Sequence, residues 1–354
     1  MADTSLNSNF NSISTDKPSK KDEGEVVTVD EAKLRYRRPF MDILNAELDS
    51  EYKELILSLP KEERWFGPLR NYRDFWLLQQ VLEQVLAMQE VFMSRPSDVI
   101  VASSMKSGTT WLKAITFTVM HRDKYTFSDH PLLKLNPHDC VPLIEHTYAA
   151  RDEKYLETLP SPRVLGSHLS YSMLPESIKA SKCPIVYICR EPKDVFISLW
   201  HMSLRFEKSK EPVSFEQALE LFCQGRVPFG PIWEHVLEYY TKSLSSPEKI
   251  LILKYEEMLK DPIDGVTRLA NFIGRPFSEE EIKNGVVEKI VELCSFNKLK
   301  ELDVNKNEIV NETNNGIYFR KAVVGDWQNY MTTEMADKFD EMTKEKLCGS
   351  GFTF

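Results

Sequence analysis

The sequence predicts an α/β fold: a single doubly wound domain on a mainly parallel sheet, with a P-loop-like strand-turn-helix. Three observations lead there. Short apolar, β-branched runs alternate with helical patterns along most of the chain. Each run is too short for a helix and is bounded by turn or polar residues. One of them runs through a Ser/Gly/Thr-rich turn into an apolar helical stretch, Leu112 to Met120. Alternation of this kind favours parallel strands covered by helices on both faces.

Taken in order, residues 1 to about 35 are rich in Ser, Asn, Asp and Lys and poor in large apolar groups. Such a stretch cannot bury enough surface to offset ordering entropy, so a flexible tail is expected, leaving 36–354 as the domain. Phe75, Leu78, Leu82, Val85, Leu86 and Phe92 recur at helical spacing and predict an amphipathic helix. Strands are predicted at Asp98 to Ala102, Val164 to Leu165, Pro184 to Cys189 and Ile250 to Leu253. Ligands of such sheets gather beyond the carboxyl ends of the strands. Lys106, His168, Arg190 and Tyr255 follow the four strands, and each suits anion or proton chemistry.

Composition narrows the function classes. At 354 residues and 42% hydrophobic content the chain can build one large core or two smaller ones. A net charge of −9 and a pI near 5.5 argue against nucleic acid or anionic membrane as partners, since both call for an extended basic face. An anionic ligand must therefore be met by a few local cations. Cys140, Cys183, Cys189, Cys223, Cys294 and Cys348 form no CxxC pair and read as reduced core thiols. The seven histidines form no HExxH cluster, and no metal is expected. The N-terminus MADTSLNSNFNSIS lacks a secretory apolar stretch, and no apolar run approaches the ~20 residues of a membrane span, so a cytoplasmic protein is expected.

The turn itself reads Ser103-Ser-Met-Lys-Ser-Gly-Thr-Thr-Trp111. A strand-to-helix turn presents unpaired N–H groups and the positive end of a helix dipole, which together receive phosphate. Gly108 lets the backbone approach closely, Lys106 adds a cation, and Ser107, Thr109 and Thr110 add hydroxyls. A Walker A loop needs its Lys after the second Gly. Here the Lys precedes Gly108, and no Gly lies five residues before it, which counts against ATP chemistry.

The string Lys106-Ser-Gly-Thr-Thr-Trp111 resembles the 5′-phosphosulfate loop of the soluble sulfotransferases, and the resemblance runs over residues 56 to 354. Leu59-Pro60, Gly230-Pro-Ile-Trp-Glu-His235, Leu293-Cys-Ser-Phe296 and Val304-Asn-Lys306 resemble the plant members in particular. The resemblance implies a sulfuryl donor, 3′-phosphoadenosine 5′-phosphosulfate (PAPS), and a small-molecule hydroxyl acceptor. It assigns Lys106, Ser107, Gly108, Thr109, Thr110 and Trp111 to the 5′-phosphosulfate, with Trp111 also near the adenine. It assigns Arg190 and Ser198 to the 3′-phosphate, a task suited to a guanidinium that gives two parallel hydrogen bonds. Arg320 and Lys321, in Phe319-Arg-Lys-Ala-Val-Val-Gly-Asp-Trp327, serve the same phosphate, and Ala322 belongs to that loop. Tyr255, Ser295 and Phe296 are implied adenine and ribose-side contacts.

His168, in Arg163-Val-Leu-Gly-Ser-His-Leu169, stands in the place of the family's [KA]-T-H segment and is implied as the general base. An imidazole with a pKa of about 6.5 suits removal of an acceptor hydroxyl's proton. Lys106 is implied to stabilise charge on the bridging oxygen. Leu143, His146 and Met202 are the acceptor-pocket candidates; flavonoids, hydroxyjasmonates, steroid-like alcohols and desulfoglucosinolates are the acceptor classes.

Three departures from the family pattern stand out. Met105 replaces the loop proline, which loosens the turn before Lys106. Ala322 replaces a glycine, and a positive φ there would strain the loop. Gln328, Thr333 and Asp337 replace the Lys, Val and Glu of the family's dimer motif, so dimerisation by that route is not expected. Two rival readings share the anion loop. A nucleotide kinase would need a Walker lysine and a Mg²⁺ carboxylate; a non-catalytic nucleotide-binding protein would have no use for His168 beside Lys106.

Overall fold

The computed structural model describes residues 47–48, 50–149, 153–206, 213–306, 309–310 and 313–354; the tail expected at residues 1–35 lies outside the described residues. The chain first makes a small antiparallel sheet of β1 (Lys61–Glu62), β2 (Leu69–Tyr72) and β3 (Phe75–Leu78). This corrects the sequence reading, which placed Phe75 and Leu78 on a helix. Arg73 and Asp74 both take positive φ (50° and 67°), the conformation of a tight two-residue hairpin, and pair Phe75–Leu78 back onto Leu69–Tyr72. The helix, α1, starts at Gln79 and runs to Val91. Its Leu82, Val85 and Leu86 are buried at the expected helical spacing.

The sheet that organises the molecule contains β4 (Val99–Ala102), β5 (Val164–Ser167), β6 (Ile185–Cys189) and β7 (Ile250–Lys254), all parallel, in the order β5-β4-β6-β7. Each falls where an apolar run predicted a strand. Around it lie α2 (Thr109–His121), α3 (Pro192–Phe206), α4 (Ile232–Ser245), α5 (Pro262–Phe272), α6 (Val286–Leu293) and α7 (Thr333–Lys346), with shorter helices between.

Successive strand residues face opposite layers. Ile100 and Ala102 of β4, with Ile185, Tyr187 and Cys189 of β6, join one core with Phe196 of α3 and Trp233 of α4. Val99 and Val101, with Val186 and Ile188, join a second core with Leu112 of α2, Leu269 of α5 and Ile290 of α6. Burial on both faces explains why these strands read as continuous apolar runs instead of alternating ones. The amino ends of β4 and β5 are clamped by a buried bidentate pair, in which Arg163 Nε and Nη2 donate to Asp98 Oδ1 and Oδ2 at 2.9 and 2.5 Å.

From β4 the chain goes to β5 on one side, then crosses back to β6 and β7 on the other. The winding direction therefore reverses at β4, whose carboxyl end is the switch point where open parallel sheets bind ligands. The turn Ser103–Gly108 leaves from that end.

Candidate active site

The turn after β4 is held from within. Ser103 Oγ and Thr109 Oγ1 lie 2.6 Å apart, as do Ser104 Oγ and Ser107 Oγ. Gly108 takes φ +109° as it enters α2, and a Cβ there would stand 2.8 Å from Tyr255 Cδ2 and 3.2 Å from Ile188 Cδ1. Glycine is needed on both counts. Lys106 also has a positive φ, +64°, which is unusual for a residue with a side chain and is of the kind that collects at functional sites.

Above the turn is a cavity of about 280 Å³. Lys106, Gly108, Thr109, Thr110 and Trp111 line it, while Ser107 is fully buried beneath with its hydroxyl on Ser104. Burial, then repulsion from Arg320, Arg190 and Arg205, pulls the Lys106 ammonium down to about 8. A cation so placed is stabilised by any anion that enters.

Arg190 and Ser198, at the end of β6 and on α3, line the same cavity, as does Tyr255 directly after β7. The Tyr255 ring lies with the Arg190 guanidinium 4.6 Å from its centroid and Trp111 edge-on at 5.6 Å. Arg190 Nη2 donates to Val323 O at 2.7 Å and lies 3.4 Å from Asp194 Oδ2, so its side chain is held in place. Its Nε is buried and meets no acceptor among the described residues. Ser295 and Phe296 close the cavity at the start of a short helix, Phe296–Glu301, which Ser295 caps.

Arg320, Lys321 and Ala322 form another part of the wall. Ala322 takes φ +55°, the strained conformation its replacement of glycine implies. Burial alone would raise the carboxyl of Asp326, but hydrogen bonds from Lys321, Arg320 and Asn329 overturn that effect and bring it to about 2. Arg320 Nη1 and Lys321 Nζ donate to it at 2.5 and 2.9 Å, while Arg320 Nε meets no acceptor among the described residues. Asp194, which the sequence reading did not assign, ties this loop to α3: its carboxylate accepts from Gly325 N at 2.8 Å and Trp327 N at 3.1 Å. The signal available was its position four residues after Arg190 in a helix's first turn.

His168 follows β5 and faces the cavity. Its Nδ1 lies 2.9 Å from the Ser103 carbonyl, which can only accept, so Nδ1 carries the proton and Nε2 keeps its lone pair. Burial lowers its pKa to about 3, opposed by the Ser103 carbonyl and helped by Lys113, His146 and His235. The imidazole is neutral at pH 7. Its backbone is fixed from both sides: His168 N donates to Glu145 Oε1 at 2.7 Å, and His235 Nε2 donates to His168 O at 2.9 Å. His235 is the last residue of the Gly230–His235 segment, and its Nδ1 meets Tyr187 OH at 2.9 Å. Its contribution beneath the site was not legible in the sequence.

Of the acceptor-pocket candidates, Met202 lines the cavity beside Met105, but Leu143 and His146 are not on its lining. Leu143 bridges to Gly166 of β5 and packs beneath it. His138 reaches the cavity without any prediction. Its Nε2 is 2.9 Å from Thr110 Oγ1, its Nδ1 is 3.1 Å from Lys113 Nζ, and its ring stacks on Tyr318 with centroids 4.3 Å apart. All six cysteines are free thiols, and among the described residues no group of His, Cys, Asp and Glu could hold a metal ion. No helix among the described residues is long and apolar enough to cross a membrane.

Residues 96–351 match the model of the sulfotransferase domain. The chain is 41% identical over 317 residues to cytosolic sulfotransferase 13 of Arabidopsis thaliana, covering 88% of this chain and 96% of the relative. It is 43% identical over 309 residues to flavonol 3-sulfotransferase of Flaveria bidentis, covering 84% and 98%. Among solved structures it is similar to mouse sulfotransferase SULT7A1 complexed with PAP, with a TM-score of 0.62 and 29% identity over 80% of this chain and 95% of that one.

Proposed function

The chain belongs to the sulfotransferase family, and on that premise we propose that it moves the sulfuryl group of PAPS onto the hydroxyl of a small organic acceptor, with His168 as general base. One observation carries this reading: the anion turn, His168, Arg190, Tyr255 and Arg320 meet in one cavity at the carboxyl end of the sheet. The residues present fit the nucleotide. A helix start with Lys106 and Thr110 on the cavity wall suits the 5′ end, and the buried Nε groups of Arg190 and Arg320 suit further phosphate oxygens. The mouse neighbour's complex with PAP, 3′-phosphoadenosine 5′-phosphate, supports the same donor.

In this reading His168 Nε2 takes the acceptor's proton as the acceptor oxygen bonds to sulfur and the bond from sulfur to the nucleotide's bridging oxygen breaks. The products are a sulfate ester and PAP. Lys106 offsets the charge left on the phosphate oxygen. An imidazole already neutral is ready to accept a proton, and the polyanion held beside it raises its affinity for one. The apolar walls at Met105 and Met202 favour a flat or lipophilic alcohol or phenol. Flavonols lead the acceptor classes, with hydroxyjasmonates, steroid-like alcohols and desulfoglucosinolates beside them, because the Flaveria relative is named for a flavonol. The cytosolic name of the Arabidopsis relative supports a cytoplasmic enzyme.

Replacing His168 by Ala tests the base. Turnover with PAPS and an accepted hydroxyl compound is expected to fall by roughly 10²-fold or more while PAP still binds. Full turnover in the variant would remove His168 from the mechanism.

A further inference from the structure

We propose that Lys113 and His138 form a relay of hydrogen-bond donors beneath the anion turn that positions the Thr110 hydroxyl to donate a hydrogen bond to the 5′ end of the bound nucleotide. The inference rests on the PAPS reading, which already places Thr110 at the 5′ end, and concerns Lys113 and His138, which that reading does not use.

Lys113 lies on α2, three residues beyond Thr110, and is fully buried. The space for its ammonium exists because residue 166 has no side chain: a Cβ on Gly166 would stand 2.7 Å from Lys113 Cε and 3.1 Å from Nζ. The ammonium has protons to give and no lone pair, so at 3.1 Å it makes His138 Nδ1 the acceptor. The imidazole proton must then sit on Nε2, where it is donated to Thr110 Oγ1 at 2.9 Å. Thr110 Oγ1 is thereby engaged as an acceptor, and its own proton is free for an anion in the cavity it lines. Stacking on Tyr318 fixes the His138 ring plane. Each hydrogen bond points the same way, from a buried cation towards the anion site, and a chain so aligned strengthens its last donor.

The protonation states agree with this direction. Burial, then Lys113, His168, His146 and Lys106, hold His138 well below its ordinary value, so it is neutral and carries one proton. Burial brings Lys113 down to about 7 against the pull of Glu145 and Asp139. The charged groups and histidines around Lys113 are thus His138 and Asp139 on the short helix Pro137–Cys140, Glu145 and His146 on Ile144–Ala149, and His168 beyond β5. Because the Lys113 value is lowered, its charge is present below about pH 7 and is lost as pH rises. An anion at the end of the relay holds the proton on, so nucleotide binding at pH 8 draws protons onto Lys113 as well as onto Lys106, which the same burial and its cationic neighbours bring down to about 8.

The test is calorimetric titration of the full chain with two probes, PAP and adenosine 3′-phosphate, which lacks the 5′ group the relay serves. Lys113→Met and His138→Phe are each expected to weaken PAP about tenfold, or ~1.4 kcal/mol, and to leave adenosine 3′-phosphate unchanged. Lys113→Met placed on Thr110→Val should add no further loss, and the proton uptake seen with PAP at pH 8 should be smaller in Lys113→Met than in the parent. His138→Phe keeps the stack on Tyr318 and carries the test if Lys113→Met does not fold. Equal loss for both probes, additive losses with Thr110→Val, or unchanged PAP affinity in the variants would overturn the relay alone. Failure of the parent to bind PAP would overturn the donor reading, and the relay with it.

Discussion

At the scale of single residues, the site is built from backbone conformations that side chains normally avoid. Lys106 at φ +64° and Ala322 at φ +55° face the same cavity from two different loops. A left-handed conformation costs an L-residue about 1–2 kcal/mol, and only the surrounding contacts hold it. Ala322→Gly removes that cost, offset in part by the entropy of a freer unfolded chain, so stability is expected to rise by up to about 1 kcal/mol in chemical denaturation. A loss of stability would show that the Ala322 methyl group contributes more than its backbone costs. Part of this scale was legible: the glycine missing at 322 announced strain, whereas the need for glycine at 108 comes from the Tyr255 and Ile188 side chains, which no local pattern shows. Lys113 and His138 were not legible. They stand 25 residues apart, and no local pattern brings an isolated lysine on an apolar helix to a histidine on a four-residue one.

At the scale of elements, the strands did most of the positioning. Each apolar run became a parallel strand, and Arg190, His168 and Tyr255 each follow a strand end directly, as an ordered sheet requires. The loop carrying Arg320 and Lys321 has no such scaffold and depends on α3. Asp194 reaches from the first turn of α3 to two backbone N–H groups of that loop and lies 3.4 Å from Arg190. Asp194→Asn keeps the shape, removes the charge and replaces one acceptor oxygen by a donor, leaving one N–H unsatisfied at about 1–3 kcal/mol. PAP affinity is expected to fall about tenfold or more with the fold retained by circular dichroism; unchanged affinity would show that the loop holds itself. The β2–β3 hairpin was the element misread. Phe75 and Leu78 fit a helical spacing, and an Arg-Asp turn lacks the glycine or asparagine that marks a two-residue hairpin.

At the scale of the molecule, the doubly wound architecture was legible because burial on both faces writes itself as unbroken apolar runs, while contacts between layers were not. The packed layers also set a pH response. Burial lowers all seven histidines, to about 4 for His121, His130 and His235 and to about 3 for His146 and His168. Between those values and about 6.5 the unfolded chain binds more protons than the folded one, so stability present above pH 6.5 is lost as pH falls. Each excess proton costs up to about 1.4 kcal/mol per pH unit, and the melting temperature is expected to drop steeply from pH 7 to pH 5. A flat profile over that range would mean that the histidines titrate as exposed groups. The most direct test of the whole account is transfer of labelled sulfur from PAPS to a panel of flavonols, hydroxyjasmonates, steroid alcohols and desulfoglucosinolates. Label is expected on the hydroxyl of at least one class, with PAP as the co-product. Tight binding of PAP with no label on any class would contradict it and leave a nucleotide-binding protein without the chemistry.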